Sequence, residues 1–319
     1  MKDSSEQRRK VVVVGSGSVG ATYCYALAQS GLADEIVLLD KNEDLMRGQV
    51  LDLVHGQPFF PTVMIRTGTV TDYSDANLIV ITAGSSQRPG ETRLQLLKKN
   101  AEIVGGIAKE IASHKSTGVM LIVSNPVDVL TYVALKESGW DRRRVIGSGT
   151  VLDSARLKHL LSNHCGVDVH NVHAYILGEH GDSEFAAWSM TNIAGFSIEE
   201  YCPNCNKCSN WKEQRLIIEQ QVRDSAYHII NYKGSTQYAV GLALVRITAA
   251  ILRGQNSVLT VSTLLNGEHG LKDVCLSLPC LVSESGIIRI IEGHLTREEI
   301  VSLTHSANVL RKAIDSLSS

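Results

Sequence analysis

The apolar positions in the first half of the chain fall into short, uninterrupted runs that alternate with helical patterns. The runs KVVVVG, EIVLLD, ANLIVITAG and GVMLIVSNP have the length of strands, and continuous apolar character is typical of strands covered on both faces. Between the runs, apolar residues recur at helical spacing over residues 18–31, 42–56 and about 94–114. This alternation predicts an α/β fold built on a doubly wound parallel sheet.

The second half of the chain has a different pattern. SGTVLDSARLKHLLS is helical, and NVHAYILGEHGD predicts a strand that runs into a loop. Long helices are predicted around residues 211–231 and 237–253, followed by the strand-like segments SVLTVSTLL and CLSLPCLV and a helix that starts near Thr296. This mixture predicts an α+β domain. We therefore divide the chain near Gly147, into domains of residues 1–147 and 148–319.

Length and composition agree with two globular domains and exclude several classes of protein. The chain has 319 residues, is 44% hydrophobic and carries a formal net charge of −2, without the basic surplus of a nucleic-acid-binding protein. It lacks an apolar run of about 18 residues, so no membrane span is expected. Basic residues precede the apolar run at 11–14, but the glycines that follow favour a buried first strand over an export signal.

The seven cysteines do not form the pattern of a disulfide scaffold. Their number is odd and the chain is long enough to build its own core, which favours reduced thiols in a cytoplasm. The one cluster, CPNCNKC, places Cys202, Cys205 and Cys208 at a spacing that suits zinc or iron–sulfur binding. A fourth ligand is missing, since Lys212 stands at the iron–sulfur offset. We expect a surface loop with free thiols and no metal.

The segment GSGSVG places Gly15, Gly17 and Gly20 between a predicted strand and a predicted helix. Glycines at these positions permit a tight turn and a close approach of the backbone to a pyrophosphate, whose charge the helix N-terminus favours. Asp40 ends the next strand, where a carboxylate accepts hydrogen bonds from a ribose 2′-hydroxyl and repels a 2′-phosphate. The first domain is therefore predicted to be of the Rossmann type and to bind NAD rather than NADP.

Two further motifs supply candidate chemistry in the second domain. GEHGDSE presents His180 at the end of an apolar strand, and LDSAR presents Asp153 and Arg156 on one helix face. Taken singly, these are a loop histidine and a local surface ion pair. Together they offer a proton shuttle, a carboxylate that orients it and a planar fork for a substrate carboxylate.

These motifs resemble those of the L-lactate/malate dehydrogenase family, and of its bacterial lactate branch in particular. The similarity runs nearly end to end, from Val11 to the C-terminal helix. It is carried by GSGSVG, LLD at 38–40, TAG at 82–84, PGETR at 89–93, SNPVD at 124–128, LDSAR at 152–156, GEHGD at 178–182 and YKGST at 232–236.

The resemblance implies roles for individual residues. His180 resembles the catalytic acid/base, Asp153 its carboxylate partner, and Arg93 the loop arginine that polarises the reacting carbonyl. Arg156 resembles the residue that binds the substrate carboxylate, and Asn125 and Thr236 line the same site. The residues expected to bind NAD are Gly15, Gly17, Val19, Gly20, Asp40, Ala83, Gly84, Val123, Asn125 and Ser148.

The chemistry expected of the family agrees with these residue types. Hydride transfer to a carbonyl carbon places negative charge on its oxygen, which a protonated His180 neutralises and Arg93 stabilises. Asp153 favours the imidazolium. The loop from Gly84 to Glu91 is expected to close over the substrate and exclude water.

Gln87 is the expected determinant of the substrate. In malate-specific relatives, the position six residues before the loop arginine is itself an arginine, which pairs with the second carboxylate of oxaloacetate. Pyruvate has a methyl group there, and a buried arginine facing it would cost several kcal/mol. PGETR sets the register, so that Gln87 rather than Arg88 occupies this position and favours pyruvate.

The resemblance also implies assembly and regulation. Family members form homotetramers, and some bacterial ones are activated by fructose 1,6-bisphosphate through residues that match Lys158 and His173. The usual residue at the first position is arginine, and lysine lacks its bidentate fork for phosphate. A surface lysine and a strand histidine without a ligand remain the alternative.

The sequence thus predicts an NAD-dependent L-lactate dehydrogenase that regenerates NAD in glycolytic fermentation. The nearest alternative is a malate or broad 2-hydroxyacid dehydrogenase. A catalytically silent NAD-binding or structural protein is an alternative of another class. Retention of His180, Asp153, Arg93 and Arg156 argues against it, because a silent protein has no need of all four.

Overall fold

The computed structural model describes residues 8–85, 90, 92–205 and 210–317. Its strands are β1 (Lys10–Val14), β2 (Glu35–Leu39), β3 (Met64–Thr67), β4 (Leu78–Ile81), β5 (Val119–Ile122), β6 (Val145–Gly147), β7 (Val172–His173), β8 (Ile176–Leu177), β9 (Phe185–Ala186), β10 (Asn192–Ile193), β11 (Phe196–Ser197), β12 (Ser257–Asn266), β13 (Lys272–Ser283) and β14 (Gly286–Ile290). Its helices are α1 (Ser18–Ser30), α2 (Glu43–His55), α3 (Arg93–Ser113), α4 (Val127–Ser138), α5 (Val151–Cys165), α6 (Ile198–Cys205), α7 (Trp211–Lys233), α8 (Tyr238–Leu252) and α9 (Arg297–Asp315).

The contacts divide the chain into two compact units, and neither is one continuous segment. The first comprises Met1–Ser148, Gln237–Ser257 and Leu281–Arg289, and the second comprises Gly149–Thr236, Val258–Cys280 and Ile290–Ser319. Helix α8 therefore belongs to the first unit, where the Tyr23 hydroxyl of α1 lies 2.6 Å from the Thr248 hydroxyl of α8. This division differs from two continuous segments that meet at Gly147.

The first unit contains the predicted doubly wound parallel sheet. Six strands lie in the order β3-β2-β1-β4-β5-β6, and every neighbouring pair is parallel. Strands β1, β2, β4 and β5 are buried at every position, as their continuous apolar runs predict. The strand order reverses between β1 and β4, and the carboxyl ends of strands at such a reversal are where ligands bind in this class of fold.

Several helix boundaries follow directly from the local sequence. Helix α1 ends before Gly31, whose φ of 62° is left-handed. Helix α3 begins at Arg93 because Thr92 and Gln95 form a reciprocal capping box. Strand β5 ends at Ile122, four residues before the expected stop at Pro126. None of the helices that the structure describes has the length and apolar character needed to cross a membrane.

The second unit is α+β, as predicted, but its short strands differ from the expectation. NVHAYIL was expected to form one strand, and this was wrong. Strand β7 pairs with β10 and strand β8 with β9, so the segment contributes to two separate small sheets. Residues of α5, α6, α7 and the short strands share one hydrophobic core.

The cysteine cluster lies partly outside the described residues. Cys202 is in helix α6 and is only 1% exposed, so the expectation of a surface loop was wrong for this residue. It is buried because α6 packs into the core of the second unit. The five described cysteines form no disulfide among the described residues. The structure does not describe Cys208, nor the side chain of Cys205.

Candidate active site

The three glycines of GSGSVG have three different reasons to be glycine. Gly15 has a φ of +109°, and a Cβ there would lie 2.6 Å from the amide nitrogen of Ala83. A Cβ on Gly20 would collide with the carbonyl oxygen of Gly15. A Cβ on Gly17, by contrast, would meet nothing within 4 Å. Gly15 and Gly20 therefore bring strand and helix together, while Gly17 leaves open space in front of helix α1.

The N-terminus of α1 and the end of β2 complete the features expected for a dinucleotide. Gly17 caps α1 without any side-chain hydrogen bond, so the first amides of the helix can face an anion. Asp40 accepts hydrogen bonds from the amide and the hydroxyl of Ser16, at 2.6 and 2.9 Å. Partial burial opposes ionisation of Asp40, but the amides of Ser16 and Asn42 outweigh it and hold the pKa of this carboxyl below its usual value. An ionised carboxylate thus stands where a ribose would need an acceptor.

A cavity of about 700 Å³ lies in front of the glycine loop, within the first unit. Five of the residues expected to bind the cofactor line it: Gly15, Gly17, Asp40, Ala83 and Gly84. Sequence reasoning missed other lining residues on different elements, among them Thr69, Tyr73, Thr82, Ile103 and Ile107. Thr82 opens the TAG motif, but no local motif marks the others, because they converge only when the sheet forms. The cavity volume, the Asp40 carboxylate after β2 and the N-terminus of α1, which has no side-chain cap, fit the size, the ribose and the pyrophosphate of NAD.

The remaining expected cofactor residues have other positions within the first unit. Val19 is half-buried in α1, and Gly20 is buried behind it. Val123 follows β5, and its amide donates to the carbonyl of Ile81 at 2.9 Å. The amide of Ser148 donates to the carbonyl of Ile122 at 2.8 Å. These residues lie outside the lining of the cavity just described.

In the second unit the structure brings His180 and Asp153 together. Nδ1 of His180 lies 2.6 Å from Oδ2 of Asp153, although the residues come from the loop after strand β8 and the first turn of helix α5. The His180 side chain is 27% exposed and that of Asp153 only 2%. The carboxylate thus holds one ring nitrogen from the buried side, which leaves Nε2 as the nitrogen that can serve a substrate.

Arg156 pairs with the other oxygen of the same carboxylate. Its Nη1 lies 2.8 Å from Oδ1 of Asp153, and the Arg156 side chain is 14% exposed. The interpretation of this i, i+3 pair as a surface ion pair is therefore wrong, because both partners are largely buried. Burial alone would raise the pKa of Asp153, but the charge and hydrogen bond of His180 and the charge of Arg156 hold it below its usual value. Asp153 is the anion of the site.

Sequence reasoning missed a third titratable group, Glu184. It is 5% exposed. One carboxylate oxygen of Asp153, one ring nitrogen of His180 and one carboxylate oxygen of Glu184 all lie within 4.8 Å of one another. Burial, and after it the charge of Asp153, raise the pKa of Glu184 to about 9, against the opposing charges of His180, Arg156 and Arg223. The final glutamate of GEHGDSE was the available signal, since it follows His180 on the same loop.

The other expected substrate residues are divided between the two units. Arg93, the first residue of α3, is exposed, and so is Asn125. The carbonyl of Asn125 accepts a hydrogen bond from Nδ2 of Asn100 at 3.1 Å, and the peptide bond that follows it is cis. Thr236, in the second unit, is half-buried. Gln87 lies outside the described residues, as does Arg88.

The two residues expected to bind an activator lie in the second unit. Lys158 is half-buried in α5, and its Nζ is 5.7 Å from the ring centroid of Tyr175. His173 is exposed on β7. The Lys158 ammonium thus lies near Tyr175, two residues along the chain from His173.

A dinucleotide-binding unit and a unit with a buried carboxylate–histidine pair beside an arginine define the class of NAD-dependent dehydrogenases. Comparison with protein families identifies which family of dehydrogenases this is. Residues 9–147 match the NAD binding domain of lactate/malate dehydrogenase, and residues 150–319 match its alpha/beta C-terminal domain. The chain belongs to the lactate/malate dehydrogenase family.

Individual relatives agree with this assignment over nearly the whole chain. The L-lactate dehydrogenase of Treponema denticola is 58% identical over 97% of this chain and 98% of its own length. L-lactate dehydrogenase 1 of Clostridium acetobutylicum is 47% identical over 98% of this chain and 99% of its own.

Solved structures show the same similarity. A lactate dehydrogenase from a Medee basin deep-sea metagenome library superposes with a TM-score of 0.94 at 46% identity, covering 98% of this chain and 100% of that one. The minor L-lactate dehydrogenase of Enterococcus mundtii, in its ligand-bound form, has a TM-score of 0.94 at 40% identity, covering 98% of this chain and 99% of its own.

Proposed function

We propose that this chain interconverts pyruvate and L-lactate with NAD, and that His180 is the acid and base of the reaction. The observation that carries the proposal is the 2.6 Å contact between His180 and the buried Asp153. Relatives that are 47–58% identical over nearly the full chain bear the name L-lactate dehydrogenase, which supports pyruvate and lactate as the substrate pair. The bound cofactor would supply the hydride as NADH in pyruvate reduction and accept it as NAD in lactate oxidation.

In the direction of pyruvate reduction, His180 begins as the imidazolium. Its Nδ1 proton is held by Asp153, so the Nε2 proton passes to the substrate oxygen as negative charge develops there. The imidazole left behind keeps its orientation because Asp153 still accepts from Nδ1. In lactate oxidation the same nitrogen takes the proton back, so one residue serves both directions.

Arg156 is proposed to bind the substrate carboxylate. A guanidinium presents parallel N–H donors that match the two oxygens of a carboxylate. Its contact with Asp153 restrains the side chain, and a restrained donor loses less conformational entropy when the substrate binds. Arg93 is proposed to polarise the carbonyl, with Asn125 and Thr236 completing the site.

Gln87 is proposed to select pyruvate over oxaloacetate. The support is the register of PGETR, in which Arg93 is six residues beyond Gln87. A neutral amide leaves no unpaired cation against a methyl group and offers no counter-charge to a second carboxylate. Along the sequence, residues 1–147 are proposed as the NAD-binding domain and 148–319 as the substrate domain, with helix α8 of the second segment packed in the first compact unit.

Assembly, regulation and location are proposals that rest on the family resemblance and the composition. We propose a homotetramer whose response to fructose 1,6-bisphosphate is weaker than an arginine at position 158 would give. The odd cysteine count, with no disulfide among the described residues, supports a reducing cytoplasm.

The proposed reaction is tested by following NADH oxidation with pyruvate, oxaloacetate and a bulkier 2-oxo acid side by side. We expect the highest kcat/KM with pyruvate, and near-complete loss of turnover in His180→Asn with NADH binding retained. A preference for oxaloacetate would identify a malate dehydrogenase. Absence of turnover with every acid, despite NADH binding, would identify a silent member of the family.

A further inference from the structure

The active-site loop carries a buried carboxyl group that the mechanism above does not use. Glu184 follows His180 by four residues and is 5% exposed. Its loop is held by a hydrogen bond from the amide of Glu184 to the carbonyl of Gly181 at 3.1 Å, and its carbonyl accepts from Nη1 of Arg223 at 3.2 Å. The backbone of Glu184 is therefore anchored to helix α7, and the side chain is confined near His180 and Asp153.

The groups that face this carboxyl make an ionised form unfavourable. Asp153, on α5, is an anion whose oxygens pair with His180 and Arg156. Arg223, on α7, pairs with Glu219 at 2.9 Å and not with the carboxylate of Glu184. His180 and Arg156 therefore both pair with Asp153, and Arg223 pairs with Glu219. An ionised Glu184, within 4.8 Å of Asp153, would be a second negative charge that depends on the same cations and brings no cation of its own.

We propose that Glu184 is held as the neutral carboxylic acid in the working enzyme, as a positioning residue that leaves Asp153, among the described residues, the only anion beside His180 and Arg156. With Glu184 neutral, an imidazolium and a guanidinium face one carboxylate, which leaves a net charge of one positive unit. That charge matches a substrate with one carboxylate. This inference rests on the proposed function only for the identity of that substrate.

Loss of the Glu184 proton would then act on binding rather than on proton transfer. The added negative charge would cancel the net positive charge of the cluster, so a monoanionic 2-oxo acid would bind more weakly at alkaline pH. It would also stabilise the imidazolium of His180, because an anion nearby favours the charged form. The two proton losses are therefore coupled, and the alkaline rise in KM for pyruvate involves both groups.

The protonation state can be measured without any assay of activity. In wild-type protein labelled with ¹³C at the glutamate carboxyl carbons, we expect one signal that retains the chemical shift of a protonated acid at neutral pH and titrates only in the alkaline range. Glu184→Gln should remove this signal, together with the carbonyl stretch of a protonated acid in the infrared difference spectrum. A Glu184 signal that is fully ionised at neutral pH would overturn the proposal.

Kinetics and the titration of His180 provide an independent test. If Glu184 is neutral at neutral pH, Glu184→Gln should leave the protonated fraction of His180 at neutral pH unchanged. It should also lower the slope of log KM for pyruvate against pH in the alkaline range by about one. If Glu184 is ionised, its removal should instead lower the pKa of His180, and that result would overturn the proposal. The matched control is Glu179→Gln, which removes the carboxylate that accepts hydrogen bonds from Ser183 on the same loop and should leave the slope of log KM as in the wild type.

These readouts separate the inference from the proposed function. Should wild-type protein fail to reduce pyruvate, the carboxyl signal and the His180 titration would still report the state of Glu184. Should pyruvate be reduced while Glu184 is ionised at neutral pH, the proposed function would stand and the inference would fall.

Discussion

Nδ1 of His180 lies 2.6 Å from Oδ2 of Asp153, across a sequence separation of 27 residues. The contact places a nearly fully buried anion against a ring that is 27% exposed, so the imidazole is held through Nδ1 by a group on its buried side. The same carboxylate holds Arg156 through its second oxygen. One buried aspartate therefore holds two of the side chains that are proposed to meet the substrate.

Asp153→Asn should reduce kcat for pyruvate reduction by roughly 10²-fold or more, the range that a positioned general acid typically contributes. An amide cannot stabilise the imidazolium, and its NH₂ group would favour the wrong tautomer of His180. Stopped-flow measurement of NADH oxidation would give kcat, and quenching of protein fluorescence would give NADH affinity. NADH affinity should not change, because Asp153 belongs to the second unit. A kcat close to that of wild type would remove Asp153 from the mechanism.

Arg156→Lys should raise KM for pyruvate by roughly 10- to 100-fold. An ammonium cannot form two parallel bonds with a carboxylate, and one lost charge-assisted hydrogen bond costs about 1.5–3 kcal/mol. Arg143→Lys is the matched control, because Arg143 is exposed and pairs only with Asp141 among the contacts described. Pyruvate affinity that is equal in the two variants would show that the carboxylate binds elsewhere.

Gln87→Arg should shift the ratio of kcat/KM values from pyruvate towards oxaloacetate. The introduced cation gains the second carboxylate of oxaloacetate as a partner and is left unpaired by a methyl group. Arg88→Gln tests the register of the loop. If Arg88 were the specificity position, its replacement would alter the ratio, whereas we expect little change. A ratio unaltered in Gln87→Arg would place specificity outside this loop.

Glu184→Gln should make the stability of the protein less dependent on pH. The pKa of Glu184 is raised from 4.5 to about 9 in the folded state, so between these values the unfolded chain has lost a proton that the folded protein keeps. Wild-type stability therefore falls as pH rises through this range, by up to about 1.4 kcal/mol per pH unit from this group. The variant lacks this contribution, and below the unfolded pKa the wild type and the variant should respond alike.

Urea unfolding at several pH values between about 5 and 8 would measure this difference. The free energy of unfolding of Glu184→Gln, relative to wild type, should increase steadily with pH. Glu179→Gln serves again as the control for the loss of a carboxylate from the same loop. A constant difference between Glu184→Gln and wild type across the range would contradict the raised pKa.

Fructose 1,6-bisphosphate should lower the pyruvate concentration needed for half-maximal rate, with the largest effect at low protein concentration. A bisphosphate that bridges cations from two subunits favours the assembled state. The response should disappear in a Lys158→Ala, His173→Ala double variant and strengthen in Lys158→Arg, which restores a bidentate fork. Identical pyruvate saturation curves with and without the sugar bisphosphate, at every protein concentration, would show that no activator binds there.

The sequence by itself determined the class of fold and the positions of most elements. Continuous apolar runs are readable because strands covered on both faces have no polar side to maintain, and β1, β2, β4 and β5 lie where those runs predicted. The glycines of GSGSVG were equally readable as a motif, and two of their requirements are local: the positive φ of Gly15 and the contact of a Cβ on Gly20 with the carbonyl of Gly15. The family resemblance could be drawn for the same reason: motifs such as GEHGD and LDSAR are continuous in the chain.

Only the tertiary structure decided which distant groups share an environment. The pairing of β7 and β8 with different partners, the burial of Cys202 and the membership of α8 in the first unit all depend on contacts between separate elements, which no single stretch of sequence shows. The i, i+3 spacing of Asp153 and Arg156 predicted their contact but could not distinguish an exposed pair from a buried one. Glu184 is the clearest case, because a glutamate that a sequence presents as an ordinary anion acquires a raised pKa only when folding removes water and places Asp153 beside it.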